Sequence, residues 1–154
     1  MKPVTINEVE RVAHRLAQEK LAFDEPIPDF STRYPGILES CLKTAFETVA
    51  GGKDPYRGLS KKAAILFYLM IKNHPFFNGN KRVAVTTMLT FLVVNGKWLK
   101  VTNEQLYQQA VEVAQSNPKY MDSVVKDTQN FITDHLTDTK RPRALLKEAV
   151  PWKY

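Results

Sequence analysis

Two strongly apolar segments, separated by a short polar stretch, dominate the hydrophobic pattern of this 154-residue chain. Residues 63–71 are almost wholly apolar, and residues 83–94 are apolar nearly all round. Each segment is long enough for a helix, and a helix that is apolar on every side belongs in the centre of a domain. We therefore predict two buried helices joined by a polar turn at residues 74–82. Such a turn is costly inside a core unless it binds something.

Helical spacing of apolar residues predicts further helices around this central pair, among them residues 38–50 and 124–135. Two other helices open with capping boxes, in which a hydroxyl and a side chain three residues later satisfy each other's backbone amides. The paired residues are Thr5 with Glu8 and Thr102 with Gln105. We therefore predict an all-α fold, with about six helices in a single compact domain.

This domain is expected to cover residues 1–138. The remainder, residues 139–154, is basic and is expected to form a C-terminal tail or a short docking helix. Three prolines within residues 24–36 exclude regular helix from that segment, which is the longest irregular stretch before the polar turn. Long irregular segments in compact domains are often functional.

The polar turn reads His74-Pro75-Phe76-Phe77-Asn78-Gly79-Asn80-Lys81-Arg82 and is called the motif segment below. Pro75 disfavours helix at the residue before it, so the first buried helix should end near Asn73 or His74. Gly79 permits a backbone conformation that other residues resist, which helps the chain reverse into the second helix. Phe76 is expected to be a core anchor that pins the turn.

The end of the motif segment should bind anions. Gly79, Asn80 and Lys81 fall near a helix N-terminus, where unpaired amides and the helix dipole attract negative charge. Lys81 and Arg82 add two cationic side chains, and Arg suits phosphate oxygens. His74 lies across the turn and can exchange a proton near neutral pH. A base that faces a phosphate cradle predicts transfer of a phosphate-containing group.

The motif segment resembles the Fic/Doc superfamily motif, His-Pro-Phe-x-Asp/Glu-Gly-Asn-Gly/Lys-Arg, and Lys81 matches the Doc (death-on-curing) branch. The similarity extends from roughly Tyr34 through the helix after Gly96. The resemblance implies that His74 is the general base for a target hydroxyl. It also implies that residues 78–82 (Asn78, Gly79, Asn80, Lys81 and Arg82) bind nucleotide phosphates, with ATP as the substrate.

By this resemblance, the chain is a Doc-like toxin that passes a phosphate from ATP to a Ser or Thr hydroxyl on a protein, with a translation elongation factor as the candidate target. Two alternatives stay open: Fic-type AMP transfer, and a catalytically degenerate nucleotide-binding regulator. Asn78 stands where the family has the acidic residue that holds Mg²⁺, so metal binding and activity are both in question. The second Arg of Fic-type motifs falls at Val85, which weakens the AMP-transfer alternative.

Two further expectations follow from the resemblance. In the family, a flap before the motif aligns the target peptide, and residues 29–36 are its counterpart here, with Arg33 and Tyr34 as candidate target contacts. Members are commonly silenced by a Ser/Thr-x-x-x-Glu helix. No Glu in this chain has Ser or Thr four residues earlier, so inhibition should come from a separate antitoxin protein.

Composition limits the remaining options. The net charge is +6, but residues 140–154 hold five Lys or Arg against one Glu, so the basicity belongs to the tail and we do not expect a nucleic-acid partner. The apolar runs are shorter than a membrane span, and no secretory signal is visible. The single Cys41 fits a reducing cytoplasm and is expected to be a buried small hydrophobe.

Overall fold

The computed structural model describes residues 1–21, 25–141 and 144. This part of the chain contains six main helices and one small two-stranded sheet. Helix α1 is continuous through three segments, Ile6–Glu8, Val9–His14 and Arg15–Lys20, of which the middle one is π-helical. The others are α2 (Ile37–Phe46), α3 (Leu59–Lys72), α4 (Asn80–Val94), α5 (Asn103–Gln115) and α6 (Met121–His135). The all-α prediction is confirmed.

Helices α3 and α4 form the centre of the domain, as the two apolar segments predict. Twelve of the fifteen residues of α4 are buried, and α3 packs against α2, α4, α5 and α6. Helix α3 ends at Lys72 with Asn73 as its cap, and α4 begins after Gly79. The polar motif segment is therefore held between the two most buried helices, which fixes its ends rigidly.

The π-helical segment of α1 is a feature that the sequence pattern did not reveal. A π-helical turn changes the backbone hydrogen-bond ladder of a helix and often accompanies a functional site. Here the Ala13 carbonyl accepts a hydrogen bond of 2.8 Å from the Thr86 hydroxyl of α4. This bond locks α1 to the central helix beside His14, the last residue of the segment.

One predicted boundary is wrong. Helix α2 ends at Phe46 instead of continuing to residue 50, because the Lys62 ammonium binds the Ala45 carbonyl at 3.0 Å and an ion pair with Asp54 holds the following loop. The chain then turns tightly, with an isolated bridge between Val49 and Lys53.

The segment after α4 is a β-strand, a feature that the sequence pattern did not reveal. Strand β1 (Lys97–Leu99) pairs antiparallel with β2 (Leu136–Asp138), and three residues each are too few for an alternating pattern to be recognised. The predicted basic tail lies mostly outside the described residues, so the division at residue 138 stays a prediction. In the part of the chain that the structure describes, no helix has the length and apolar character to cross a membrane.

Candidate active site

A cleft of about 680 Å³ opens beside the motif segment. Most of its lining comes from the motif segment itself, and the rest comes from the end of α3, the end of α5, Pro118 after α5, and Glu25. Seven motif residues contribute: His74, Phe77, Asn78, Gly79, Asn80, Lys81 and Arg82. The structure thus brings all the motif residues predicted to act on a nucleotide to one cavity, which is large enough for a cofactor-sized ligand.

His74 stands at the rim of this cleft with an exposed side chain. Its backbone has a φ of 50°, the left-handed region that a residue with a side chain rarely adopts. Such strain concentrates at functional sites. The Asn80 amide nitrogen lies 3.4 Å from Nδ1, a contact too long to hold the ring firmly. An imidazole nitrogen therefore stays available to a substrate proton.

Asn80 has a structural task beside its predicted phosphate contact. Its Oδ1 accepts the Phe76 amide at 2.9 Å, and its Nδ2 donates to the Phe76 carbonyl at 2.9 Å. Phe76 itself is buried in the core, as the sequence predicted. Asn80 therefore shapes the turn that carries His74, and its side chain has one amide proton left to donate to an anionic ligand.

Gly79 is required on two grounds. Its φ is 80°, and a Cβ at this position would lie 2.6 Å from Cγ1 of Ile27. No side chain caps the amide groups that follow it at the start of α4. Because Gly79, Asn80 and Lys81 all line the cleft, an anion bound there lies at an uncapped helix N-terminus.

The three cationic side chains of the cleft differ in the number of hydrogen bonds that they make within the protein. Lys72 donates to the carbonyls of Ala114 (3.3 Å) and Ser116 (2.5 Å) at the end of α5. Arg82 is buried, and its Nη1 donates to the carbonyls of Leu21 and Glu25 at 2.7 and 2.8 Å. These bonds commit much of Lys72 and Arg82 to positioning the cleft walls.

Lys81 is different. Its side chain is half-buried, and it has no hydrogen bond or ion pair with any residue that the structure describes. A half-buried cation at an uncapped helix N-terminus, unpaired among the described residues, is well placed for an anionic ligand. Of the two motif cations predicted to bind phosphate, Lys81 is thus the better candidate.

Among the residues that the structure describes, those at the cleft do not fit a magnesium site built by the protein. The Oδ1 of Asn78 accepts the adjacent Gly79 amide at 2.7 Å, and Glu25 is the only carboxylate that lines the cleft among the described residues. No cluster of three or more acidic, His or Cys side chains occurs within residues 1–21, 25–141 and 144. Mg²⁺ prefers several oxygen ligands with near-octahedral geometry, which this set does not offer.

The predicted flap lies directly against the motif segment. The Tyr34 amide donates to the Pro75 carbonyl at 3.0 Å, so the flap is hydrogen-bonded to the residue that follows His74. Tyr34 is 44% exposed, as a target contact requires. Arg33 instead pairs with Glu39 at 3.0 Å and lies over the Phe30 ring, which commits it to the flap's own structure.

Two residues near the site escaped the sequence reasoning. Phe77, inside the motif segment, is 75% exposed and lines the cleft, where an aromatic side chain can contact a bound ligand or protein. His14, on α1, is only 2% exposed and packs against both Phe30 and Phe76. Burial lowers its pKa, although the Pro28 carbonyl and the carboxylates of Asp29 and Glu10 oppose this shift. No sequence signal separated His14 from its exposed neighbours.

Cys41 takes no part in the site. It is buried on α2, as predicted, and burial raises the pKa of its thiol to about 11. A thiol with so high a pKa is not a nucleophile near neutral pH.

Comparison with known proteins identifies a family for this chain. The model of the Fic/DOC family matches residues 3–92, a span that begins well before Tyr34 and ends before Gly96, so it differs at both ends from the extent expected from the motif. A curated relative, Toxin Doc of Mycolicibacterium smegmatis, is 37% identical over 68 residues, which are 44% of this chain and 52% of that protein. The match therefore spans about half the length of that relative. No solved structure matches the chain.

Proposed function

Because this chain belongs to the Fic/DOC family, we propose that it is a Doc-like toxin that transfers the terminal phosphate of ATP to a Ser or Thr hydroxyl of another protein. The similarity to a protein named Toxin Doc supports the toxin part of this proposal. The lysine at position 81, as in the Doc branch of the motif, supports the choice of phosphate over AMP.

In the proposed reaction, His74 takes the proton of the target hydroxyl on an imidazole nitrogen. The hydroxyl oxygen forms a bond to the γ-phosphorus, while the bond from that phosphorus to the β–γ bridging oxygen breaks. ADP leaves with the bonding electron pair. The strained backbone and the exposed ring of His74 suit a base that must meet a macromolecular substrate.

The state of Lys81 is the observation that carries the proposal. Phosphoryl transfer depends on positioning and on neutralising the charge of the phosphate oxygens. Lys81 offers a cation that has no hydrogen bond or ion pair within the described part of the chain, next to the uncapped amides of α4 and in the same cleft as His74. Positively charged Lys72 and Arg82 support the cleft walls and add to its potential.

Asn78 favours one specific alternative, a degenerate nucleotide-binding regulator. With an amide at the family's acidic position, the protein supplies no carboxylate there for Mg²⁺, so no step above passes through a protein-held metal. Magnesium would enter the cleft with ATP, as part of the substrate. Low activity of the natural protein is therefore compatible with the same fold and the same cleft.

Two partners belong to the proposal. The target is a translation factor, with an elongation factor as the first candidate, and the exposed rings of Tyr34 and Phe77 are its proposed contacts. The second partner is a separate antitoxin, because the chain carries no inhibitory Ser/Thr-x-x-x-Glu sequence of its own. The reaction is proposed to take place in the cytoplasm.

The deciding experiment incubates the purified protein with a bacterial lysate and ATP labelled at the α- or the γ-phosphate. We expect a protein band with γ-label only, lost in His74→Ala and strongly reduced in Lys81→Ala, whereas Lys81→Arg keeps part of it. Label from the α-position would overturn the kinase proposal in favour of AMP transfer. Label from neither position, with nucleotide binding still measurable, would favour the degenerate regulator.

A further inference from the structure

Three aromatic rings from three separate segments meet beneath the motif. His14 comes from the π-helical segment of α1, Phe30 from the flap and Phe76 from the motif segment; this set is called the aromatic cluster below. The centroid of the His14 ring lies 5.4 Å from that of Phe30, edge to face, and 5.2 Å from that of Phe76. The Phe30 and Phe76 centroids are 5.9 Å apart. These are the distances of favourable aromatic contacts.

A histidine is an unusual choice for this position. Its Nε2 is buried and has no hydrogen-bond partner, although most buried polar groups in proteins have one. The Thr86 hydroxyl holds the adjacent Ala13 carbonyl, which fixes the backbone that presents the ring. The backbone therefore fixes the position of the ring. Burying Nε2 without a partner costs free energy that a leucine or phenylalanine would not.

From this geometry we infer that His14 is a positioning residue, whose neutral imidazole holds the flap in register with the motif segment. On the flap, the His14 ring contacts Phe30, which starts the short 3₁₀ turn Phe30–Thr32. On the motif segment, the His14 ring contacts Phe76, whose backbone amide and carbonyl are both hydrogen-bonded to the Asn80 side chain. The single backbone bond between the two segments, from Tyr34 to Pro75, then depends on the cluster for its alignment.

The charged groups around His14 make the coupling sensitive to pH. Glu10 on the same helix and Asp29 at the start of the flap both favour the charged imidazolium, while burial opposes it more strongly. On the flap side, Arg33 lies over the outer ring, Phe30. A proton on the imidazole would place a charge between two phenyl rings, where burial disfavours it in spite of the Pro28 carbonyl, so protonation should release the flap.

The inference deepens the proposed function, on which it depends for the flap as a target-binding element. Its test does not depend on catalysis. Amide hydrogen exchange of Tyr34 reports whether the flap is bonded to the motif segment, and the amides of α3 report global stability. We expect His14→Ala to speed exchange at Tyr34 at least tenfold at pH 7, beyond any change in α3.

Leu16→Ala is the matched control, because Leu16 is a buried residue of the same helix that lines a different cleft with Thr90 and Val93. In this control, amide exchange at Tyr34 should change only as much as amide exchange in α3. The inference would be overturned if the Tyr34 amide lost protection relative to α3 equally in both variants. It would also be overturned if His14→Ala caused no such loss.

A second measurement needs no unstable variant. In the natural protein, the protection of Tyr34, corrected for intrinsic exchange, should fall between pH 7 and pH 5, whereas His14→Phe should hold it constant. Protection that is independent of pH in the natural protein would contradict the coupling. If exchange behaves as expected while no label is transferred to a target, the proposed function fails and the positioning role of His14 stands.

Discussion

Asn80 grips the backbone of Phe76 from both sides, accepting its amide and donating to its carbonyl, each at 2.9 Å. The pairing closes the turn between His74 and α4 in the way a short strand pair would. It also settles which amide atom is which, because only one orientation of the side chain satisfies both partners. The residue that family resemblance presents as a phosphate ligand thus, in the first place, holds the turn of the motif segment in shape.

Asn80→Ala should therefore lower the free energy of unfolding as well as activity. Two lost hydrogen bonds at about 0.5–1.5 kcal/mol each predict a loss of about 1–3 kcal/mol. Urea denaturation followed by circular dichroism measures it. Gln108→Ala, which removes an exposed contact with Glu112 on α5, is the control and should stay within about 0.5 kcal/mol of the natural protein. If Asn80→Ala has the same free energy of unfolding as the natural protein, the turn does not need these two hydrogen bonds.

Gly79 and Gly36 offer a matched pair for separating backbone strain from steric clash. Both have a φ near 80°, but a Cβ at Gly36 meets nothing within 4 Å, whereas one at Gly79 meets Ile27 at 2.6 Å. Gly36→Ala should cost about 1–2 kcal/mol from the left-handed backbone alone. Gly79→Ala should cost clearly more.

The difference should shrink in an Ile27→Ala background, where the cost of Gly79→Ala approaches that of Gly36→Ala. Thermal or urea unfolding of the four proteins in this cycle gives the coupling between residues 27 and 79. Equal costs for Gly79→Ala in both backgrounds would mean that the loop at Ile27 moves aside freely.

The central helices and the motif segment could be predicted from the sequence because their signals are local. Apolar residues on every side of α3 and α4, Pro75 after His74 and glycine at position 79 each act through neighbours in the chain. The same holds for the capping boxes at Thr5 and Thr102, both present in the structure.

The rest depends on contacts between distant residues, which composition and spacing do not encode. Arg82 reads as a phosphate ligand in sequence, yet its partners Leu21 and Glu25 lie about sixty residues earlier. Helix α2 stops early because Lys62, from α3, takes the Ala45 carbonyl. His14 gains its meaning only when the flap and the motif segment fold against it.

The lowered pKa of His14 predicts a pH dependence of stability. The unfolded chain has an ordinary histidine near 6.5, and the folded protein binds that proton only at lower pH. As the pH falls below about 6.5, the unfolded state therefore gains protons that the folded state does not, so the stability present at higher pH is lost. Below the folded pKa, this loss levels off.

His14→Phe removes that titration and is the control. Urea unfolding at pH 8, 7, 6 and 5 should show the free energy of unfolding of the natural protein falling relative to that of His14→Phe across the acidic half of the series. A constant difference between the two proteins would mean that His14 titrates alike in the folded and unfolded chain.

The last prediction concerns the amide at the family's acidic position. In Asn78→Asp, one carboxylate oxygen can still accept the Gly79 amide, which Asn78 Oδ1 accepts at 2.7 Å, so the turn should keep its shape. The other oxygen adds a hard anionic ligand to the cleft, which favours Mg²⁺, and a negative charge near the start of α4, which opposes free phosphate. The substitution should therefore strengthen binding of Mg²⁺–ATP and weaken binding of ATP in the presence of a chelator. Titration calorimetry under the two conditions measures both, and Asn78→Ser controls for loss of the amide without added charge. If Asn78→Asp binds ATP equally with and without Mg²⁺, residue 78 does not reach the metal, and the natural asparagine is no obstacle to activity.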